Sequence, residues 1–263
     1  MKKNMEEKII SLQNQKIKNI IKLRKNRERK KRDLIIIEGR KEIEAAEQAG
    51  INLTELFFCS ELAEENRLKL KFNRINFVSQ KVFEKISVRE NPDGWLALAR
   101  PRFFNFSDID LSKNILVVIL EALEKPGNLG AILRTADAVG VATVIINEPQ
   151  TDIYNHNVIR SSRGAVFFKK IIIASIKETK DWLKKNKIKS FAAALTAKES
   201  YLKANFSGSS AIVLGREDKG LSQAWLEAAD ELIKIPMLGR ADSLNVSVSA
   251  AIILFETLRQ RMN

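Results

Sequence analysis

The chain has 263 residues, 45% of them hydrophobic, which is enough apolar material for one large domain or two of ordinary size. No apolar run approaches the roughly 18 residues of a membrane span, and the charged N-terminus lacks the apolar core of a secretory signal. A single cysteine, Cys59, and a single histidine, His156, exclude an internal disulfide and a zinc cluster of such residues. We therefore expect a protein of the reducing cytoplasm that uses no metal, with Cys59 buried and His156 in a surface or capping position.

The positive charge is concentrated at the N-terminus. Residues 1–33 contain 13 Lys and Arg against 4 Asp and Glu, within a formal net charge of +13 for the whole chain. This density predicts a polyanionic partner, and a solvated helix face is the alternative. Ile9, Leu12, Ile17, Ile20, Ile21 and Leu23 indicate a helix within this basic arm that packs loosely ahead of the arginine cluster.

Residues 34–100 alternate between short strands and helices and predict a small α/β domain. The predicted strands are Leu34–Ile37, Leu53–Phe58, Ile75–Val78 and Trp95–Ala99. The predicted helices lie around Arg40–Ala49, Glu61–Leu70 and Gln80–Ile86. Residues 101–114 have no periodicity and several cap-type residues, and we interpret them as a linker.

Residues 115–263 alternate again and predict a second α/β domain with a mostly parallel sheet. The predicted strands are Ile115–Leu120, Val141–Ile146, Phe191–Leu195, Ala211–Leu214 and Leu232–Ile235. The predicted helices lie around Gly130–Val139, Asn155–Arg163, Lys177–Lys187, Ser222–Ala228 and Leu244–Arg261. The last helix is apolar over much of its circumference, which predicts burial, in part within a subunit interface.

Three polar, glycine-containing stretches follow three of these strands. They are EALEKPGNLGAILRTADAVG from Glu121, GREDKGLS from Gly215 and IPMLGRADSLNVSVS from Ile235. Open α/β sheets bind ligands at the carboxyl ends of their strands, so these stretches predict a site. Gly127 and Gly130 lack the spacing of a dinucleotide-binding turn. Gly215 and Gly220 have the spacing of a P-loop, but Leu221 stands where the P-loop lysine should follow, so both patterns argue against a nucleotide-using enzyme.

Arg134 lies about 200° around its helix from Ile132, away from the apolar stripe of Ile132, Ala136 and Val139. It could bind phosphate or carboxylate there, or form an ordinary ion pair with Asp137. The other polar residues also have structural alternatives. Asn128 could be an ordinary turn residue, and Glu217 could be an acid in the first turn of a helix. Ser243 could cap the last helix, and Asn245 could be an ordinary residue of its first turn.

In order, the three stretches resemble the three motifs of the SpoU (TrmH-type) RNA ribose 2′-O-methyltransferases. The matching patterns are Asn128-Leu-Gly-Ala-Ile-Leu-Arg134, Gly215-x-Glu217-x-x-Gly220-Leu-Ser222 and Ile235-Pro-Met-x-Gly-x-x-x-Ser243-Leu-Asn245. The runs IIIEGRKEIEAAEQAG from Ile35 and NPDGWLALA from Asn91 also make residues 34–100 similar to the ribosomal-protein-like substrate-binding domain that often precedes this catalytic domain. The resemblance implies a SPOUT-type, trefoil-knotted α/β domain that works as a homodimer.

The resemblance also implies which residues form the site. The catalytic and substrate-orienting residues would be Asn128, Arg134, Glu217, Ser243 and Asn245. The S-adenosyl-L-methionine contacts would fall on Leu214, Gly215, Ile235, Met237 and Leu244, mostly through the backbone. In the dimer, Arg134 would serve the cofactor site of the partner.

The implied function is methyl transfer from S-adenosylmethionine to a ribose 2′-hydroxyl of RNA, with 23S ribosomal RNA as the substrate. Transfer RNA is the alternative substrate. A non-catalytic RNA-binding or ribosome-assembly factor with the same fold is the alternative from a different class. No metal is implied.

Overall fold

The computed structural model describes residues 8–63, 72 and 74–262. The chain divides into two compact units. The first contains residues 1–102 and Tyr154–Phe168, and the second contains residues 103–153 and 169–263. The chain passes from the first unit to the second within the predicted linker.

The first unit is built on a four-stranded mixed sheet. Its elements are α1 (Gln15–Leu23), α2 (Asn26–Arg32), β1 (Ile35–Glu38), α3 (Arg40–Gln48), β2 (Leu53–Phe58), β3 (Arg74–Phe77), α4 (Gln80–Ile86) and β4 (Trp95–Ala99). The strand order is β1-β4-β2-β3, with β4 antiparallel to both neighbours and β2 parallel to β3. The four predicted strands are confirmed to within a residue or so. Most of the predicted helix Glu61–Leu70 lies outside the described residues.

Helix α1 packs into the core of this unit, so the prediction of a loosely packed helix is wrong. Ile17, Ile20 and Leu23 recur every three residues, and all are at most 1% exposed. They belong to the same cluster as Phe57 and Phe83. The high charge of the segment lies on the other face of α1 and on α2, and it does not prevent the apolar face from docking.

A segment from the second half of the sequence completes the first unit. It contains α6 (His156–Ser161) and α7 (Ala165–Phe168), whereas we had predicted a helix of the second domain at Asn155–Arg163. The Tyr154 hydroxyl donates to the Arg102 carbonyl at 2.6 Å. A Cβ on Gly164 would lie 2.6 Å from the Ala45 methyl of α3, so the contact leaves no room for a side chain. Sequence periodicity identified the helix but could not show which unit it joins.

The second unit has a seven-stranded sheet in which every paired strand is parallel. Its strands are β5 (Leu116–Glu121), β6 (Thr143–Asn147), β7 (Lys170–Ile173), β8 (Lys189–Ala193), β9 (Glu199–Ser200), β10 (Ser210–Leu214) and β11 (Glu231–Lys234). Their order is β7-β6-β5-β10-β8-β11-β9. The five predicted strands are confirmed, and the short β7 and β9 were missed.

Helices of the second unit are α5 (Pro126–Ala138), α8 (Ile176–Lys185), α9 (Gln223–Ala228) and α10 (Val246–Met262). Helix α5 begins four residues earlier than predicted, because a proline is well suited to the first turn, where its missing N–H has no intrahelical partner. Phe106 of the predicted linker stacks on Trp182 of α8 with ring centroids 5.1 Å apart. No helix among the residues that the structure describes has the length and apolar character of a membrane span.

Helix α10 buries only one of its apolar faces within the chain. Ala250, Ile253 and Leu254 are fully buried, and the helix packs against α5. The opposite face carries Val248 and Phe255, which are 46% and 52% exposed, and Met262, which is 76% exposed. The expectation of burial therefore holds for one face, and the other remains open in the single chain.

Candidate functional site

Three loops leave the carboxyl edge of the second sheet and carry the residues singled out in the sequence. The first follows β5 and enters α5, the second follows β10, and the third follows β11 and enters α10. Strands β5 and β10 are direct neighbours, and β8 alone separates β10 from β11. Parallel strands end at a common edge, so the loops meet.

The Glu217 carboxylate is the point at which all three loops are joined. Its Oε1 accepts hydrogen bonds from the Asn128 amide and, at 3.2 Å, from the Asn245 Nδ2. Its Oε2 accepts from the Lys125 ammonium. Asn245 Nδ2 also donates to Asn128 Oδ1 at 3.3 Å. We call Lys125, Asn128, Glu217 and Asn245 the Glu217 cluster.

Lys125 was missed in the sequence, and its contact with Glu217 spans 92 residues. The hydrogen bond and charge of Glu217 raise the pKa of the Lys125 ammonium above its usual range. The ammonium therefore stays protonated at neutral pH, and its charge is paired with the Glu217 carboxylate. The only local signal was a lysine placed directly before the proline that starts α5.

The second loop is held in a defined shape by its own backbone and by the end of β5. Arg216 and Gly220 exchange backbone hydrogen bonds of 3.0 and 3.1 Å, and Gly220 has a φ of +66°. The buried Glu121 accepts the Ser222 amide at 2.8 Å through Oε2. Glu124 forms an ion pair of 2.8 Å with Arg216. The sequence did not reveal the contacts of Glu121 and Glu124, because each joins residues far apart in the chain.

A cavity of about 340 Å³ lies beside this loop. All five predicted cofactor-contacting residues line it: Leu214, Gly215, Ile235, Met237 and Leu244. Glu217 and Ser243 line it as well, whereas Asn128, Arg134 and Asn245 do not. A Cβ on Gly215 would lie 2.3 Å from the Gly220 carbonyl oxygen, so only glycine permits the loop to close at this point.

Asn245 joins the Glu217 cluster to the start of α10. Its Oδ1 accepts the Ser247 amide at 2.9 Å and so caps the helix, while its Nδ2 points to Glu217. The alternative in which Ser243 caps α10 is therefore wrong. Ser243 is exposed and lies two residues before the cap.

Arg134 stands apart from the Glu217 cluster. It is exposed on α5 and forms no hydrogen bond or ion pair with any residue that the structure describes. The alternative ion pair with Asp137 is absent, because Asp137 pairs with Lys169 at 2.9 Å. Ile132, Ala136 and Val139 are buried, which confirms that Arg134 points away from the core.

Comparison with known proteins places this site in a family. The sequence model of the SpoU rRNA Methylase family matches residues 115–255, and that of the MRM3-like substrate binding domain matches residues 14–97. The 23S rRNA (guanosine(2553)-2′-O)-methyltransferase RlmP of Bacillus subtilis is 30% identical over 247 residues, covering 94% of this chain and 97% of that protein. The 23S rRNA (guanosine-2′-O-)-methyltransferase RlmB of Vibrio vulnificus is 34% identical over 203 residues, covering 75% and 82%.

Solved structures of RNA methyltransferases are similar to this chain over nearly its whole length. A crystal structure of an RNA 2′-O ribose methyltransferase is 40% identical, with a TM-score of 0.86 and coverage of 98% of this chain and 100% of that one. An AdoMet-bound rRNA methyltransferase from Sinorhizobium meliloti is 28% identical, with a TM-score of 0.86 and coverage of 96% and 97%. The family match over more than half of the sequence and the relative aligned over 94% of it show that this chain belongs to the SpoU rRNA Methylase family.

Proposed function

We propose that this protein transfers a methyl group from S-adenosylmethionine to a ribose 2′-hydroxyl of 23S ribosomal RNA. The observation that carries the proposal is the position of Glu217. This residue lines the cavity and also binds Asn128 and Asn245, so polar groups from all three motifs stand at one side of a pocket of cofactor size. The named relatives are ribosomal RNA 2′-O-methyltransferases.

The cavity fits S-adenosylmethionine. At about 340 Å³ it lies within the range of small-molecule sites. Leu214, Ile235, Met237 and Leu244 supply apolar side chains, and the bare Gly215 allows the backbone to approach a ligand closely. When bound there, S-adenosylmethionine would supply a methyl group already activated by its sulfonium.

The protein's part in the reaction is to hold the ribose and to help its hydroxyl lose a proton. The ribose oxygen would gain the methyl group, and its hydroxyl proton would pass to solvent water. The bound S-adenosylmethionine would supply the methyl group and would leave as the thioether S-adenosylhomocysteine. Asn128, Asn245 and Ser243 offer amide and hydroxyl groups for orienting the sugar. The role of Arg134 is to bind the adjacent phosphate or to stabilise the developing oxyanion, because a guanidinium supplies hydrogen-bond donors and no acceptor for a proton.

The exposed apolar face of α10 supports a homodimer. Val248, Phe255 and Met262 form an apolar stripe of the kind that marks a protein interface. Arg134 has no protein partner in its own chain among the described residues, and we place it at the cofactor site of the second copy. Light scattering of the wild type and of Phe255→Asp should give a dimer and a monomer, and a monomeric wild type would refute the dimer.

Mixing two impaired variants tests the position of Arg134, with S-adenosylmethionine kept too dilute to fill the Gly215→Ala pocket. A heterodimer of Arg134→Ala and Gly215→Ala contains one site with an intact pocket from one chain and an intact arginine from the other. Activity should return on mixing if Arg134 acts across the dimer. If it acts within its own chain, no complete site forms and the mixture stays inactive.

Two further features belong to the proposal. The sheet order and the relatives support the trefoil knot of this family, in which the chain of the second and third motifs is threaded, although connections in proteins are otherwise almost always unknotted. A ribosomal substrate and a single buried cysteine support a cytoplasmic location.

The decisive test is incubation with labelled S-adenosylmethionine and unmodified 23S ribosomal RNA, followed by mass spectrometric mapping. One 2′-O-methylated ribose is the expected result. If only transfer RNA is methylated, the proposed substrate changes from 23S ribosomal RNA to transfer RNA. Failure to bind S-adenosylmethionine would overturn the enzymatic proposal and leave an RNA-binding factor.

A further inference from the structure

The basic segment of the first unit carries charge that the protein does not neutralise. Helix α2 and the residues before it expose five cations without a carboxylate partner among the described residues: Arg24, Lys25, Arg27, Lys30 and Lys31. The only acid within α2, Glu28, pairs with Arg32 at 3.3 Å. Like charges at this density repel one another, and a bound polyanion would relieve that repulsion.

Arg24 is fixed in direction and keeps its charge. Its Nη2 donates to the carbonyl oxygens of Lys85 and Ser87 at 2.8 and 2.7 Å. A carbonyl oxygen carries no formal charge, so these bonds orient the guanidinium without cancelling its positive field. The side chain is thereby held against the turn that follows α4.

The same turn meets the segment that returns from the second half of the sequence. Glu38 holds the turn by accepting from the Ser87 hydroxyl at 2.5 Å and from the Val88 amide at 2.9 Å. Val88 lines one shallow depression together with His156 and Arg160 of α6. Arg160 is exposed and, within the described chain, has no hydrogen-bond or ion-pair partner. Two arginines 136 positions apart, Arg24 and Arg160, thus flank one turn.

The pKa of His156 is sensitive to the positive charges around this turn. Burial lowers the pKa of its imidazole, and the nearby charges of Arg29, Arg24 and Arg160 lower it further. The imidazole is therefore neutral at pH 7. Glu38 lines the same depression, and its bonds from Ser87 and Val88 orient its carboxylate without cancelling the charge. The charges that shift the pKa of His156 are nevertheless all cationic.

We propose that Arg24, Lys25, Arg27, Lys30, Lys31 and Arg160 form a surface that binds the phosphate backbone of the RNA substrate. We call it the basic surface. The proposal rests on the proposed function and deepens it, since it places the RNA contact on α2 together with the returning helix α6. Arginine and lysine match phosphates, and the basic surface has no aromatic ring on which bases could stack.

Substitutions that remove positive charge test the basic surface. Arg24→Gln/Arg160→Gln removes two charges, and each lost phosphate contact lowers the slope of log affinity against log salt by about 0.7 to 0.9. The slope for an unmodified 23S ribosomal RNA transcript should therefore fall by about 1.4 to 1.8. The KM for RNA should rise while kcat at saturating RNA stays unchanged.

Two controls keep this result interpretable. Lys184→Gln/Lys185→Gln removes the same charge from exposed positions at the end of α8 and should leave the slope near the wild-type value. Arg160→Gln alone breaks no hydrogen bond or ion pair with the residues that the structure describes, so it tests the basic surface even if loss of the Arg24 bonds disturbs the fold. An unchanged slope in Arg160→Gln and in the double variant would overturn the proposal.

The single histidine provides a second measurement. His156 is the only histidine of the chain, so its ring protons give one unambiguous NMR titration. Phosphates bound beside Arg24 and Arg160 should raise the pKa of His156 when a short RNA hairpin is added. No movement of that pKa at saturating RNA would exclude the basic surface.

These outcomes are separate from those of the methyl-transfer test. Wild-type protein that binds RNA with a steep salt dependence but transfers no methyl group would overturn the enzymatic function and leave the basic surface standing. Methyl transfer with the same KM for RNA in Arg160→Gln as in the wild type would overturn the basic surface and leave the enzymatic function standing.

Discussion

The Glu217 cluster and Arg134 belong to one proposed site, yet they differ in how many partners they have within the chain. Glu217 receives hydrogen bonds from Lys125, Asn128 and Asn245, so its geometry is complete before any ligand arrives. Arg134 is exposed and makes no hydrogen bond or ion pair within the described part of the chain. The cluster is preorganised by the fold, whereas the arginine is available to a group from outside the chain.

Arg259 has the carboxylate partner that Arg134 lacks among the described residues. Arg259 binds Glu256 through two hydrogen bonds of 2.8 Å. Such a pair fixes the guanidinium and cancels its charge, so it contributes to stability and not to ligand binding. An arginine without such a partner is available to bind a ligand, and four substitutions test this distinction.

Arg134→Ala should have the largest effect. We expect methyl transfer to fall roughly 10³-fold, because the transition state loses its charged donor. S-adenosylmethionine affinity, measured by calorimetry, should stay near the wild-type value, since the cavity is lined by other residues and the proposed role of Arg134 is to bind the RNA phosphate or the ribose oxygen. Arg134→Lys is the matched control and should recover part of the rate, while wild-type turnover in the alanine variant would remove Arg134 from the mechanism.

Gly215→Ala should act on the pocket instead. The added methyl group would lie 2.3 Å from the Gly220 carbonyl oxygen and force the second loop to move. We expect S-adenosylmethionine binding to weaken about 10- to 100-fold, as overpacking of this kind costs 1–3 kcal/mol. Gly127→Ala is the control, because a Cβ there meets nothing within 4 Å. Equal affinities for the two variants would contradict this account of the loop.

Asn128→Ala should weaken the Glu217 cluster without dissolving it. Glu217 would keep Lys125 and Asn245 as partners, so we expect kcat to fall roughly tenfold, a loss of about 1.4 kcal/mol, with cofactor affinity unchanged. Asn114→Ala, at an exposed asparagine before β5, should have no effect on rate. A larger loss of cofactor affinity than of kcat would mean that Asn128 shapes the pocket and not the substrate position.

Glu256→Gln should change stability and leave transfer unaffected. Hydrogen bonds from Arg259 and then Gln260 lower the pKa of Glu256 to about 2. A carboxylate with a lowered pKa stabilises the fold above its ordinary pKa of about 4.5, and this contribution disappears as the pH falls through about 2. Because Arg259 is 62% exposed, we expect a loss of about 1 kcal/mol at pH 7. Urea unfolding at pH 7 and pH 2 measures it, and an equal loss at both pH values would contradict the ion pair.

Much of this molecule could be predicted from local sequence. The apolar run Ile115–Leu120 identified β5, and the motif pattern identified Asn128, Glu217 and Asn245, which the structure brings together. Lys125 and Glu121 could not be predicted, because their partners Glu217 and Ser222 lie 92 and 101 residues away.

The prediction for the N-terminal segment was wrong for a different reason. Its spacing of Ile17, Ile20 and Leu23 already indicated a buried face, but the weight of charge led to a loosely packed arm. Deletion of residues 1–33 would remove these core side chains and unfold the first unit, so the charge substitutions proposed above are the sharper test of RNA binding.

The return of Tyr154–Phe168 to the first unit has a consequence for biosynthesis. Residues 1–102 emerge from the ribosome first, yet α6 and α7 become available only after β5, α5 and β6 have also emerged. The N-terminal unit therefore cannot complete its fold as an independent first step of translation. A fragment that ends at Arg102 should leave the α3 surface around Ala45 uncovered, and its folding should depend on supplying residues 154–168 in trans.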